Sequence, residues 1–161
     1  MSPRAAWRLE SLGFTRVFDY VAGKADWLAS GLPIEGKLAN YCRAGSVVRT
    51  DVPTCRLTDL VADAREHVEA SDYKECVVTN DEGVVLGRLA ERDLLTNPEG
   101  LVEQVMESGP TTTRPDDPLE AITERLRGRE VDSILVTTPD GRLVGILYLE
   151  DAERVLAEEA A

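Results

Sequence analysis

Histidine is all but missing from this chain, which has one, His67, among 161 residues. The three cysteines, Cys42, Cys55 and Cys76, are scattered and form no CxxC pair. These shortages argue against a zinc site, and an odd set of separated thiols argues against a disulfide framework and for reduced cysteines. Long apolar runs are lacking too. The longest, Leu143 to Leu149, has seven residues and includes Gly145, whereas a membrane-spanning helix needs roughly 20. The opening MSPRAAWRLESLGF holds no unbroken apolar stretch, so no signal peptide is expected and a cytoplasmic protein is. Positive charge is scarce: 18 basic residues face 30 acidic ones, a net charge of −12. A surface that negative repels phosphate backbones and anionic lipids, so neither nucleic acid nor membrane is an expected partner.

What is present suits one folded domain with a small appendage: 43% hydrophobic residues supply a core. The charge divides the chain. Residues 1–46 hold six basic and four acidic residues, and the remainder holds 12 against 26.

An offset of 58 residues lays the last two-thirds of the chain on itself without a gap. ECVVTNDEGVVLGRLAERD (75–93) falls on SILVTTPDGRLVGILYLED (133–151), matching Gly83 with Gly141, Gly87 with Gly145 and Asp93 with Asp151. At the same offset Val61, Ala64 and Val68 fall on Leu119, Ile122 and Leu126, each set spaced as a helical stripe. One offset held through helical and extended patterns marks a duplication. Each copy reads as β-α-β-β-α. A short extended opener (47–50 or 105–108) leads to a helix near 58–69 or 116–127. A hairpin follows (75–79 with 84–89, or 133–137 with 142–148), then a helix near 91–96 or 150–158. The turns Asn80–Gly83 and Thr138–Gly141 are rich in hairpin residues. Units this small bury too little alone, so the two should pack together.

A tandem β-α-β-β-α unit with this hairpin resembles the CBS domain, which occurs in pairs, over roughly residues 46–158. The resemblance implies an α/β fold of two packed units (46–104 and 105–161) after an appendage (1–45). It also implies a regulatory, non-enzymatic role, an adenosine-containing ligand (AMP, ADP, ATP or S-adenosylmethionine) in a cleft between units, and a homodimer. In the family the Asp closing the second hairpin strand binds ribose; the matching residues are Asp93 and Asp151. The resemblance further implies that Asp93 faces Arg114 and the run Val131-Asp132-Ser133, and that Asp151 faces Arg56 and the run Tyr73-Lys74-Glu75. The small hydroxyl residue that the family places three positions before the Asp is here Ala90 or Tyr148. With smaller side chains, Ala90 and Val131, the Asp93 cleft is the one expected to be open. The competing reading gives each Asp a helix-capping role and the clefts no ligand, leaving an interaction module for an unidentified protein partner.

Other candidates have blander readings. His67 is expected at the surface, Cys55 and Cys76 in the core, and Arg125, Arg127 and Arg129 on a solvated face. Residues 5–36 carry a helix ending at Gly13, a strand-like Thr15–Tyr20 and a second helix with Trp27 and Leu28. That order resembles the C-terminal end of a rhodanese domain, but no cysteine precedes the helix as that chemistry requires. Tyr41–Ser46 imitates the missing loop in the wrong place, so Cys42 is a weak candidate for sulfur transfer. Trp27, Phe14, Phe18 and Leu28 are expected to pack on the repeat or across a dimer interface.

Overall fold

The offset carries into three dimensions element by element. A computed structural model describes residues 3–36 and 42–159. Two helices come first, α1 (Pro3–Ser11) and α2 (Gly23–Ala29). The repeat then runs β1 (Thr54–Cys55), α3 (Val61–Glu69), β2 (Glu75–Thr79), β3 (Val85–Ala90) and α4 (Glu91–Leu94). After α5 (Val102–Val105) and β4 (Glu107–Ser108) come β5 (Thr112–Thr113), α6 (Leu119–Arg129), β6 (Ser133–Thr137), β7 (Leu143–Tyr148) and α7 (Leu149–Glu159). The strands β5, β6 and β7 begin and end 58 residues after β1, β2 and β3. Even the register shifts in the hairpins correspond, at Val78/Thr79 and Val136/Thr137.

The helical stripes bury as their spacing predicts: Val61, Ala64 and Val68 on α3, and Leu119, Ile122 and Leu126 on α6. β2 and β6 are buried on both faces, which is why they read as apolar runs rather than alternations. Cys76 and Val78 turn toward α3, Ile134 and Val136 toward α6. Between these residues, Val77 and Leu135 meet Ile146 and Tyr73 in a core shared by the units. Val77, Leu135 and Ile146 are at most 1% exposed, and burying each contributes roughly 1.5–3 kcal/mol. α4 stops two residues earlier than expected because Asn97, at φ 49°, and Pro98 turn the chain away.

The openers change places. Residue 49 does not pair within its own copy: Arg49 exchanges backbone hydrogen bonds with Ile146 of β7, at 2.9 and 3.0 Å. Reciprocally, β4 of the second copy pairs with β3 of the first, Glu107 opposite Arg88. Ala44, fully buried, completes the core around α6, and its counterpart Val102 completes the core around α3. The crossing explains a glycine pair. A Cβ on Gly145 would lie 2.1 Å from the Arg49 carbonyl oxygen, and one on Gly87 2.5 Å from Met106 Sδ and 2.9 Å from the Glu107 carbonyl oxygen.

The N-terminal segment departs from expectation. Thr15–Tyr20 forms no strand; among the described residues no neighbouring strand offers its backbone a partner, and strand propensity without pairing is not enough. Phe14 and Phe18 are 60% and 76% exposed rather than packed on the repeat. Trp27 stacks edge-on against Tyr20 (5.2 Å between centroids) and donates its indole N–H to Pro33 at 2.8 Å. Together they wall an apolar hollow of about 660 Å³, whose charged lining residues are of both signs, Asp19 and Glu35 with Lys24 and Arg43. The α1 terminus is as read, closed by Gly13 at φ 91°. Tyr41, the first residue of the loop imitating a sulfur-transfer site, lies outside the described residues.

Candidate functional site

The two clefts start from equivalent backbones and end in opposite states. In the second, Asp151 is buried and both its oxygens are engaged. Oδ2 accepts from Arg49 Nε and Oδ1 from Arg154 Nη2, each at 2.7 Å. The Arg49 guanidinium holds the Asp151 carboxyl below its ordinary range. The same guanidinium lies 4.8 Å over the Tyr148 ring. Tyr148 in turn leans on Tyr73 (6.4 Å between centroids), and Tyr73 donates its hydroxyl to Asp51 at 2.5 Å. Burial pushes the Tyr148 hydroxyl up to about 12. The exchanged opener thus delivers to Asp151 the cation that occupies it, and two tyrosines fill the space beside it.

Around Asp93 every one of those groups is replaced. Fifty-eight residues away, Arg49 becomes Glu107, Arg154 becomes Thr96, Tyr148 becomes Ala90 and Tyr73 becomes Val131. Asp93 uses Oδ2 to accept the Ala90 backbone N–H at 3.0 Å, and Arg92 Nε lies 3.5 Å from Oδ1. It sits inside the first turn of α4 and reaches back to the residue before the helix, rather than standing at the cap position itself. Its side chain is 20% exposed, so the carboxylate keeps lone pairs for further donors.

A cavity of about 160 Å³ opens between the units on this side, lined by Arg88, Glu107, Thr111, Arg125, Leu126, Arg129, Val131, Ser133 and Ile134. Of the sequence-derived residues it gathers Val131 and Ser133; Asp93 is not in its lining. Asp132 accepts the Leu149 backbone N–H at 2.8 Å through its carbonyl. Arg56 and Arg114 do other work. Arg114 donates to Thr137, carbonyl and hydroxyl, while Arg56 holds Thr79 and Asn80 and lies 3.6 Å from Asp81. They clasp equivalent strand ends, and among the described residues neither bonds to Asp93 or Asp151.

Sequence reasoning placed the whole Arg125–Arg129 run on a solvated face. Arg127 and Arg129 behave so, both exposed, with Arg127 pairing with Glu153 at 2.7 Å, whereas Arg125 is half-buried. Arg125 and Arg129 lie four apart on α6 and share the face that walls the cavity. The signal was available: Arg125 flanks Leu126, on the edge of the buried stripe. Glu75, expected to face Asp151 with Tyr73 and Lys74, is buried and makes a link between the units. It accepts from Ser133 Oγ at 2.8 Å and lies 3.7 Å from Arg88, tying β2 of one unit to β6 of the other. His67 is exposed and Cys55 and Cys76 are buried, as read. Cys42 is half-buried, and burial with the nearby Glu159 carboxylate pushes its thiol up, the opposite of what a nucleophilic thiolate needs. No helix among the described residues is long and apolar enough to cross a membrane.

Two units interlocked by exchanged openers, with a cavity between them, define a class of paired-repeat module. The CBS domain family matches residues 44–100 and 102–158, and the chain belongs to that family. Both matched spans lie after the N-terminal segment for which a rhodanese likeness was expected. Among curated proteins, a homoserine O-acetyltransferase of Methanohalobium evestigatum is 30% identical over 57 residues, 35% of this chain but 12% of that protein's length. Among solved structures, the soluble part of a magnesium transporter superposes with TM-score 0.68 at 22% identity, covering 78% of this chain and 52% of that one. CBSX2 solved with AMP gives 0.66 at 21%, covering 74% and 98%. A CBS domain pair solved with 5′-methylthioadenosine and S-adenosyl-L-methionine gives 0.65 at 16%, covering 74% and 98%. The chain thus spans about half of the transporter fragment and an eighth of the acetyltransferase.

Proposed function

We propose that this protein is a regulatory CBS pair that senses an adenosine-containing ligand, an adenine nucleotide or S-adenosylmethionine, in the cleft beside Asp93. Asp93 binds the ribose diol, and Val131, Asp132 and Ser133 form the opposing wall. The observation that carries this reading is the asymmetry of two equivalent positions: Asp151 is neutralised by Arg49 and Arg154 and hemmed by Tyr148, while Asp93 keeps free acceptor capacity and the cavity between the units has Val131 and Ser133 in its lining. The similar folds solved with AMP and with S-adenosylmethionine support the ligand class. A ligand touching both units favours one relative packing of them, and a regulated partner reads that difference. The module works without catalysis of its own, in the cytoplasm, as a homodimer.

The test is a thermal-shift and calorimetric panel of AMP, ADP, ATP, S-adenosylmethionine and adenosine. A ligand at 100 times its Kd stabilises by about 2.7 kcal/mol, which raises the midpoint by roughly 5–10 °C for a chain this size. One equivalent should bind, and Asp93→Ala should abolish the response while lowering stability by only about 1 kcal/mol. A flat panel refutes the reading. It would favour the second one, an interaction module with empty clefts, for which the exposed Trp7 (68%), Phe18 (76%) and Val21 (92%) speak.

A further inference from the structure

Every residue lining the N-terminal hollow precedes residue 44, where the first CBS match begins. At about 660 Å³ the hollow falls within the roughly 300–1,000 Å³ of small-molecule sites. Its aromatic walls have their polar groups already engaged. Tyr20 donates its hydroxyl to Asp26 at 2.5 Å, and Trp27 its indole N–H to the Pro33 carbonyl at 2.8 Å, which leaves the rings for whatever enters. Those rings stand at 87° to each other and form a corner in which one guest meets two π faces. A phenol bonded to a carboxylate is the richer in electrons, and such faces attract cations, tryptophan most of all. Phe18 brings a third ring and Glu35 a negative charge to the same lining.

The hollow provides for the opposite charge as well. Among the described residues Arg43 makes no ion pair: Nη1 donates to the Asp116 carbonyl at 3.0 Å, and Nε is sealed from solvent without an acceptor. A guanidinium met only by a backbone carbonyl is left short of the carboxylate its fork matches. Lys24 lines the hollow too, so a guest carrying positive charge alone would be repelled by two cations. A guest carrying negative charge alone would forgo the aromatic corner.

We propose that the N-terminal hollow binds a small zwitterion with a quaternary ammonium at one end and a carboxylate at the other, the ammonium in the corner of Trp27 and Tyr20 and the carboxylate toward Arg43. Arg43 bridges to Pro118 just ahead of α6, and its neighbour Ala44 is buried in the core around α6. The carboxylate end is thereby anchored on the second unit. This site is separate from the cleft beside Asp93, and it does not depend on the nucleotide reading.

Calorimetric titrations of the full chain with glycine betaine, carnitine, choline, phenylalanine and tert-butylacetate decide it. Tert-butylacetate has the shape of glycine betaine with carbon in place of the charged nitrogen, and choline keeps the ammonium without the carboxylate. Glycine betaine or carnitine should bind about 10-fold or more tightly than either. Trp27→Leu should erase the preference for betaine over tert-butylacetate, and Arg43→Gln the preference for betaine over choline. Neither loss follows from a merely structural role. Phe18 is 76% exposed, so Phe18→Ala carries the test, with betaine weakened about 3-fold or more, if either variant fails to fold by circular dichroism. Tert-butylacetate or choline binding as tightly as the betaines, phenylalanine binding more tightly than both, preferences that survive the substitutions, or no binding at all overturns the proposal. Each of these results stands apart from any response to AMP or S-adenosylmethionine, which tests the cleft.

Discussion

Gly145→Ala probes the interlock between the units directly. The new Cβ would stand 2.1 Å from the Arg49 carbonyl oxygen and 2.8 Å from Val48 Cγ2, where ordinary contact begins at 3.4 Å. The nearest obstacle is backbone, so no side-chain rotation relieves it, and the opener must withdraw by about 1 Å. That movement strains the two backbone hydrogen bonds between Arg49 and Ile146, each contributing about 0.5–1.5 kcal/mol. Overpacking adds about 1–3 kcal/mol. The expected loss is therefore about 2–6 kcal/mol, or roughly 4–24 °C in Tm by calorimetry or circular dichroism. Gly128→Ala is the control: it lies in α6 with open space around its Cα and no left-handed φ, so alanine there should hold or raise stability by up to about 1 kcal/mol. If Gly145→Ala melts within about 2 °C of the parent protein, the strand exchange does not contribute as argued here.

Further predictions concern charge and the strand clasps. Because Arg49 depresses the Asp151 carboxyl, folding favours its ionised form. That stabilisation is complete above the ordinary carboxylate range near pH 4 and fades as pH falls through the depressed native value. Asp151→Asn should therefore flatten the acid limb of a plot of urea midpoint against pH, and an unchanged limb would show that the pair contributes nothing. Arg114→Ala removes the donor that holds the Thr137 carbonyl and hydroxyl and should cost about 1–2 kcal/mol in urea unfolding. The more exposed Arg56→Ala should cost less.

Much of this architecture is legible in the sequence because duplication doubles every signal. One offset located all the hairpin strands and both amphipathic helices, and the replacement of Tyr148 by Ala90 and of Tyr73 by Val131 already marked the two clefts as unlike. What stayed hidden depends on contacts about 100 residues apart. Nothing near Arg49 says that it will pair with Ile146 and then reach Asp151, since an extended tetrapeptide is compatible with either sheet. Arg125 reads as a surface charge but is half-buried, because its direction depends on how α6 docks against the other unit. The strand expected at Thr15–Tyr20 failed for the converse reason: local preference was present and a pairing partner was not.

The exchanged openers also bear on how the molecule comes to be folded. The core around α6 lacks Ala44 until the N-terminal side of the repeat arrives, and the core around α3 lacks Val102 until synthesis has passed the midpoint. A chain emerging from the ribosome therefore holds an unfinished first half, its β3 edge unclaimed until β4 appears. Each half carries an extended opener that pairs with the other, so a cut where the sequence repeats separates each sheet from the segment that pairs with it. Halves severed there would each present an edge and a tongue that fit, and two identical halves could close on one another. The chain joins in one molecule what two separate copies of an ancestral unit would have to find by collision.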